Sequence, residues 1–132
     1  MGDTPIYKRS WAGIVVSAVP TLFLLLDAVG KLIKPEPVVT GTIELGYPET
    51  VIVPLGILLL ICTILYAIPV TSILGAILLT GYLGGAVATH VRVGGPIANI
   101  LFPVECGLMV WAGLWLRSSS LRRLVPLVSS TK

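Results

Sequence analysis

Four long runs of apolar residues, separated by short polar breaks, decide most of what this chain can become. The runs cover residues 11–33, 51–68, 70–91 and 97–116. Each is close to the ~20 residues a helix needs to cross a hydrocarbon layer about 30 Å thick. Inside a bilayer every backbone N–H and C=O must be satisfied within the protein, so such runs fold as helices. Over the whole chain 55% of residues are hydrophobic and only 11% are charged, against about a quarter charged in a soluble domain. That leaves too little polar surface to cover a water-soluble globule. The expected fold is all-α: an integral membrane four-helix bundle forming one domain over residues 1–132, with no room for a separate soluble catalytic module.

The breaks between the runs set the connectivity. A short polar lead carrying Lys8 and Arg9 precedes Trp11. The first run is not followed by a small-residue cleavage site and continues through Asp27, Gly30 and Lys31, so it reads as a span and not as a signal peptide. Pro20 is expected to kink it, because its ring removes a backbone donor and crowds the preceding turn. Residues 34–49 (KPEPVVTGTIELGYPE) form the longest polar connection, with Pro35 and Pro37 stopping the first helix. Residues 43–47 are expected as a short interfacial turn, with Tyr47 at headgroup depth. Pro54 is tolerated in the first turn of the second span and Pro69 ends it. The connection 69–72 is so brief that the second and third spans should form an antiparallel hairpin. A tight Gly94-Gly95-Pro96 turn leads into the fourth span, and a basic tail, residues 117–132, is expected on the membrane surface.

Charge orients the bundle. Four spans put both termini on one side, with Lys8, Arg9, Arg117, Arg122, Arg123 and Lys132. The opposite side holds Lys34 and Arg92, offset by Glu36, Glu44 and Glu49. Positively charged flanks stay in the cytoplasm, so both termini are expected there. The net charge of +3 then marks membrane orientation and not nucleic-acid binding.

With that orientation the ionisable residues within the spans gather at the outer end. Asp27 and Lys31 stand one helical turn apart in the favourable acid-first order. The stretch 81–96 (GYLGGAVATHVRVGGP) ends the third run with the chain's one histidine, His90, and Arg92 two residues later. Tyr82, Ala86 and His90 share a helical face. Glu105 falls about 13 Å down the fourth helix. Ionisable groups at membrane depth cost roughly 2.5–3.5 kcal/mol each and tend to face inward in pairs. Asp27, Lys31, His90 and Glu105 are therefore expected to meet in a polar pocket near the outer leaflet, with Tyr82 deeper, Arg92 at the mouth and Glu105 as the floor. Gly81 and Gly85, four apart, give the third helix a smooth face where a neighbouring helix can approach closely.

Each of these features also has a plainer reading. Asp27–Lys31 can be a structural ion pair that snorkels, and His90 can cap its helix or bond a loop carbonyl. A lone histidine cannot supply both axial ligands of a membrane haem, and a His/Met pair would require Met109 to face it. Cys62 and Cys106 lie inside apolar runs without metal-site spacing and read as core cysteines, with a redox pair as the alternative. No Ser–His–Asp or metal-ligand constellation is visible, which weighs against autonomous hydrolysis.

Asp27, the Lys31-Leu-Ile-Lys-Pro35 stretch, Glu44-Leu-Gly-Tyr-Pro48 and Gly81-Tyr-Leu-Gly-Gly-Ala-Val-Ala-Thr-His-Val-Arg-Val-Gly94 together resemble the DoxX-like membrane proteins. The resemblance runs from about Trp11 to Arg123, with Ala-Thr-His-x-Arg its most specific part. It implies a compact four-helix bundle, a bacterial cytoplasmic membrane location, and a family name inherited from a quinone-reducing thiosulfate oxidoreductase subunit, without carrying over that reaction. Glu105 is not part of the family pattern. Two function classes follow. In the first the bundle binds a hydrophobic small molecule, a quinone by family implication, within a redox system, with Asp27, Lys31 and His90 bonding its carbonyls or moving protons. In the second the protein is a non-enzymatic partner or assembly factor acting through helix–helix contacts, as a homo-oligomer or with a membrane redox partner.

Overall fold

The computed structural model describes residues 11–125. Among them it contains helices, turns and no strand. α1 covers Trp11–Ile33, α2 Glu36–Glu44, α3 Ile52–Ala67, α4 Ser72–Arg92, α5 Ile97–Arg117 and α6 Ser119–Leu124. Short 3-10 turns, Glu49–Val51 and Pro69–Thr71, lead into α3 and α4. Four helical stretches are long and apolar enough to cross a membrane: Trp11–Ile33, Glu49–Ala67, Pro69–Arg92 and Ile97–Arg117. All four expected spans are found to within a residue or two. Pro20 lies buried inside an uninterrupted α1.

The four spans form a closed square, each packing on the next in the order α1–α3–α4–α5 and back to α1. Every neighbour is antiparallel, as short connections require. One end carries Trp11, the α3–α4 turn and Arg117, and is here called the tail end. The other, the cap end, carries the α1–α3 connection and the turn between α4 and α5.

The tail half is tightly sealed. Gly75 lies against the backbone of Leu65 and Tyr66, and Gly113 against the backbone of Ser17, so that a Cβ at either position would collide. Tyr66 is 1% exposed. Its hydroxyl donates to the carbonyl of Val110 (2.7 Å) and lies 3.2 Å from Ser17 Oγ. A phenol in an apolar span needs a partner for its O–H, and here that need ties α3 to both α5 and α1. Ser72 Oγ closes the hairpin by donating to the Tyr66 carbonyl (2.8 Å). Leu24, Leu59, Leu79, Val110 and Leu114 fill the space between.

Those seams correct the expectation for Gly81 and Gly85. A Cβ on either would meet nothing within 4 Å, and both residues are exposed on the outer side of α4. The close helix approaches inside the bundle are made at Gly56, Gly75 and Gly113 instead. Spacing identified a smooth face correctly, but that face looks away from α3 and α5.

The polar connection 34–49 is also more ordered than expected. Pro35 and Pro37 stop α1 and also start α2, since a proline in the first turn forfeits no internal hydrogen bond. Lys34 takes a left-handed conformation (φ 61°) between the two helices. Thr42 is buried, with Oγ1 donating to the Val38 carbonyl (2.8 Å).

Candidate functional site at the cap end

The last two turns of α1 carry the ion pair. Lys31 Nζ lies 2.6 Å from Asp27 Oδ1, with the lysine side chain 15% exposed and the aspartate 48% exposed. Lys31 leans onto α3, where Gly56 leaves room for its stem. Tyr82 is half-buried on α4 and packs against the core cluster that includes Cys62 of α3 and Cys106 of α5. Cys62 and Cys106 are both buried and free, as core cysteines.

The remaining expected residues divide. His90 is half-buried at the end of the Tyr82–Ala86–His90 face, about 12 Å towards the cap from Tyr82. Its backbone carbonyl accepts from Gly95 N (3.0 Å) and closes the turn into α5. Its ring has no hydrogen bond or ion pair to a described residue. Arg92 is exposed and reaches the connection: Nη2 donates to the Leu45 carbonyl (2.7 Å) and the guanidinium packs on Gly46. Gly46 has φ +96°, and a side chain there would also press on that guanidinium at 3.2 Å. Glu105 does not form a floor. It is exposed on the stripe of α5 that includes Leu101, Leu108 and Ala112, all exposed, and it has no ion pair among the described residues. Its helical position points it outward, one step round from Cys106, which faces the core.

Three contacts fasten the connection over this end. Besides the Arg92–Leu45 bond, Lys34 Nζ pairs with Glu49 Oε2 at 3.1 Å. Tyr47 Oη lies 2.9 Å from Thr89 Oγ1. Thr89 Oγ1 already donates to the Gly85 carbonyl (2.8 Å), so Tyr47 is the donor between them. Tyr47 is expected from the sequence only as an interfacial residue, and its bond to Thr89, like the role of the Leu45 carbonyl, is visible only in the fold. A threonine next to a histidine near a helix end carries no signal of its own, and its partner lies 42 residues away.

A separate cavity of about 270 Å³ opens between α4 and α5, lined by Thr80, Leu83, Gly84, Pro103, Gly107 and Trp111 among others. Trp111 Nε1 donates to Thr80 Oγ1 (2.6 Å) at its edge. This cavity is apolar and does not contain the ion pair. Among the described residues no group of His, Cys, Asp and Glu is arranged to hold a metal ion.

The sequence profile of the DoxX-like family matches residues 15–113. The chain belongs to the DoxX-like family. No curated protein and no solved structure matches it. The matched region of this DoxX-like protein holds the Asp27–Lys31 pair, the cap and the Ala-Thr-His-x-Arg stretch, whereas Arg117 and α6 lie beyond it. With four membrane-crossing helices, this member is a multi-pass membrane protein.

Proposed function

We propose that the protein binds a hydrophobic small molecule bearing carbonyl groups, in a polar pocket under the cap at the outer leaflet, as part of a redox system. A quinone is the ligand class that the family resemblance implies. The observation that carries this reading is the Asp27–Lys31 pair: an ion pair within an apolar span whose carboxylate is half exposed, in the same bundle as the uncommitted polar atoms of Tyr82 and His90 on α4. Lys31 spends one of its three donors on Asp27, and the Tyr82 hydroxyl and the His90 ring have no hydrogen bond among the described residues. These donors suit a carbonyl oxygen. The pocket is placed in a bacterial cytoplasmic membrane with both termini inside, an orientation that tags on each terminus test by accessibility.

Mass spectrometry of molecules extracted from the purified protein tests the ligand. A quinone should recur in wild-type extracts and fall about tenfold in Asp27→Asn, which removes the charge that holds Lys31 in place, and in Tyr82→Phe, which removes a hydroxyl donor. Extracts without a recurring small molecule overturn the reading.

The second reading, a membrane partner or assembly factor, is favoured by the outward stripe of Gly81, Gly84, Gly85 and Ala88. Small residues let helices approach closely in lipid. On this reading a protein co-purifies in fixed ratio, or the chain self-associates, and Gly85→Leu abolishes that association.

A further inference from the structure

Arg117 ends α5 but does not behave as the terminal arginine of a spanning helix ordinarily does. Such a side chain extends away from the hydrocarbon and places its guanidinium among headgroups and water. Arg117 instead turns back along the bundle. Its Nε donates to the Gly113 carbonyl at 3.3 Å. Its guanidinium carbon lies 5.5 Å from the centroid of the Tyr66 ring. The ring face attracts a cation but accepts no strong hydrogen bond, and the Tyr66 hydroxyl is already committed to Val110 and Ser17. Nη2 of Arg117 is enclosed without any hydrogen-bond partner. A charged donor enclosed without an acceptor is among the costlier defects a folded protein can hold.

The described residues offer little to cure that defect. The described acidic residues Asp27, Glu36, Glu44 and Glu49 lie in the cap half, and Glu105 is twelve residues away on an outward stripe, about 18 Å along α5. The neighbouring arginines are engaged differently. Arg122 Nη1 donates to the carbonyls of Trp115 and Leu116, both at 2.8 Å, and its guanidinium stacks over Trp115. It satisfies the end of α5. Arg123 is exposed and has no ion pair among the described residues. Arg117 is only partly buried as a residue.

We infer that the tail end of the bundle binds a phosphate group, with Arg117 as its principal ligand. A guanidinium supplies charged donors that suit phosphate oxygens, and the Tyr66 ring and the Gly113 carbonyl hold it in one orientation. The site lies at the level of the exposed Trp115, where interfacial aromatics sit. The phosphate comes either from a phospholipid headgroup or from a soluble phosphate. This inference does not rest on the ligand proposed for the cap end.

The test uses the full chain in a neutral detergent, with phosphatidylglycerol, phosphatidylcholine or inorganic phosphate added, read by native mass spectrometry and thermal unfolding. Wild type should hold one phosphatidylglycerol in preference to phosphatidylcholine and unfold at a higher temperature with it. Arg117→Gln should weaken that binding about tenfold, as expected for a lost charged hydrogen bond. Arg123→Gln, which removes the same charge, should leave it within about twofold. A matching effect of inorganic phosphate alone assigns the site to soluble phosphate and supports the inference. Equal losses in Arg117→Gln and Arg123→Gln mean diffuse charge attraction and overturn it. Should Arg117→Gln fail to fold, Arg117→Lys keeps the charge without the fork and should still bind more weakly than wild type. Wild type that shows no saturation at one anionic lipid and no response to phosphate overturns it outright.

Discussion

The two halves of this bundle are built on opposite plans. In the tail half, Gly75 and Gly113 bring backbones together, and Tyr66 is buried with its hydroxyl shared between α5 and α1. In the cap half, a half-exposed Asp27 pairs with Lys31, Tyr82 and His90 carry uncommitted polar atoms, and a short helix and loop are pinned across by three polar contacts. One half spends its polar groups on holding helices; the other keeps several in reserve. In a membrane the hydrophobic effect does not drive helix association, so stability rests on close packing and a few polar bonds. Concentrating those at one end leaves the other with polar atoms that no helix-to-helix contact uses.

That contrast can be broken most severely at Gly113. In Gly113→Leu the side chain has to displace the backbone of Ser17, and separating α1 from α5 should cost more than about 3 kcal/mol. Thermal unfolding in detergent, or failure to recover folded protein, reads this out. A variant that unfolds like wild type would mean that the tail half is not the structural seam described. Tyr66→Phe should cost less, about 1–2 kcal/mol, because it removes one hydroxyl and leaves the Val110 carbonyl without that donor. The same melts measure it.

At the cap end Asp27→Asn should barely move the melting temperature. Its pair with Lys31 is half exposed, and such pairs are worth about 0–1 kcal/mol. Loss of the extracted ligand without loss of stability is the expected pattern; a stability loss as large as that of Tyr66→Phe would make the pair structural. The smallest effect belongs to Gly81→Leu and Gly85→Leu. Both positions face open space, so melts of the isolated protomer should stay within about 0.5 kcal/mol of wild type. A large destabilisation would return these glycines to an internal seam.

Much of this fold is written locally. Hydropathy and the prolines at 35, 54, 69 and 96 bracket the four spans, because a span is a property of about twenty consecutive residues. The Asp27–Lys31 pair follows from i,i+4 spacing alone. α2 was missed because Pro35 and Pro37 read as stops, although prolines equally begin helices. The facing of the helices could not be read at all from hydropathy. In lipid the outside of a helix is as apolar as its inside, so nothing in Gly81–Gly85 distinguishes it from Gly75 or Gly113, and nothing in Glu105 shows that it points outward. Only the square packing of α1, α3, α4 and α5 made that choice, and it also brought Tyr47 to Thr89 and Arg92 to Leu45 across more than forty residues. Composition and local spacing thus settle which segments cross the membrane. Which of their faces meet depends on contacts between segments far apart in the chain, and these exist only once the helices have packed.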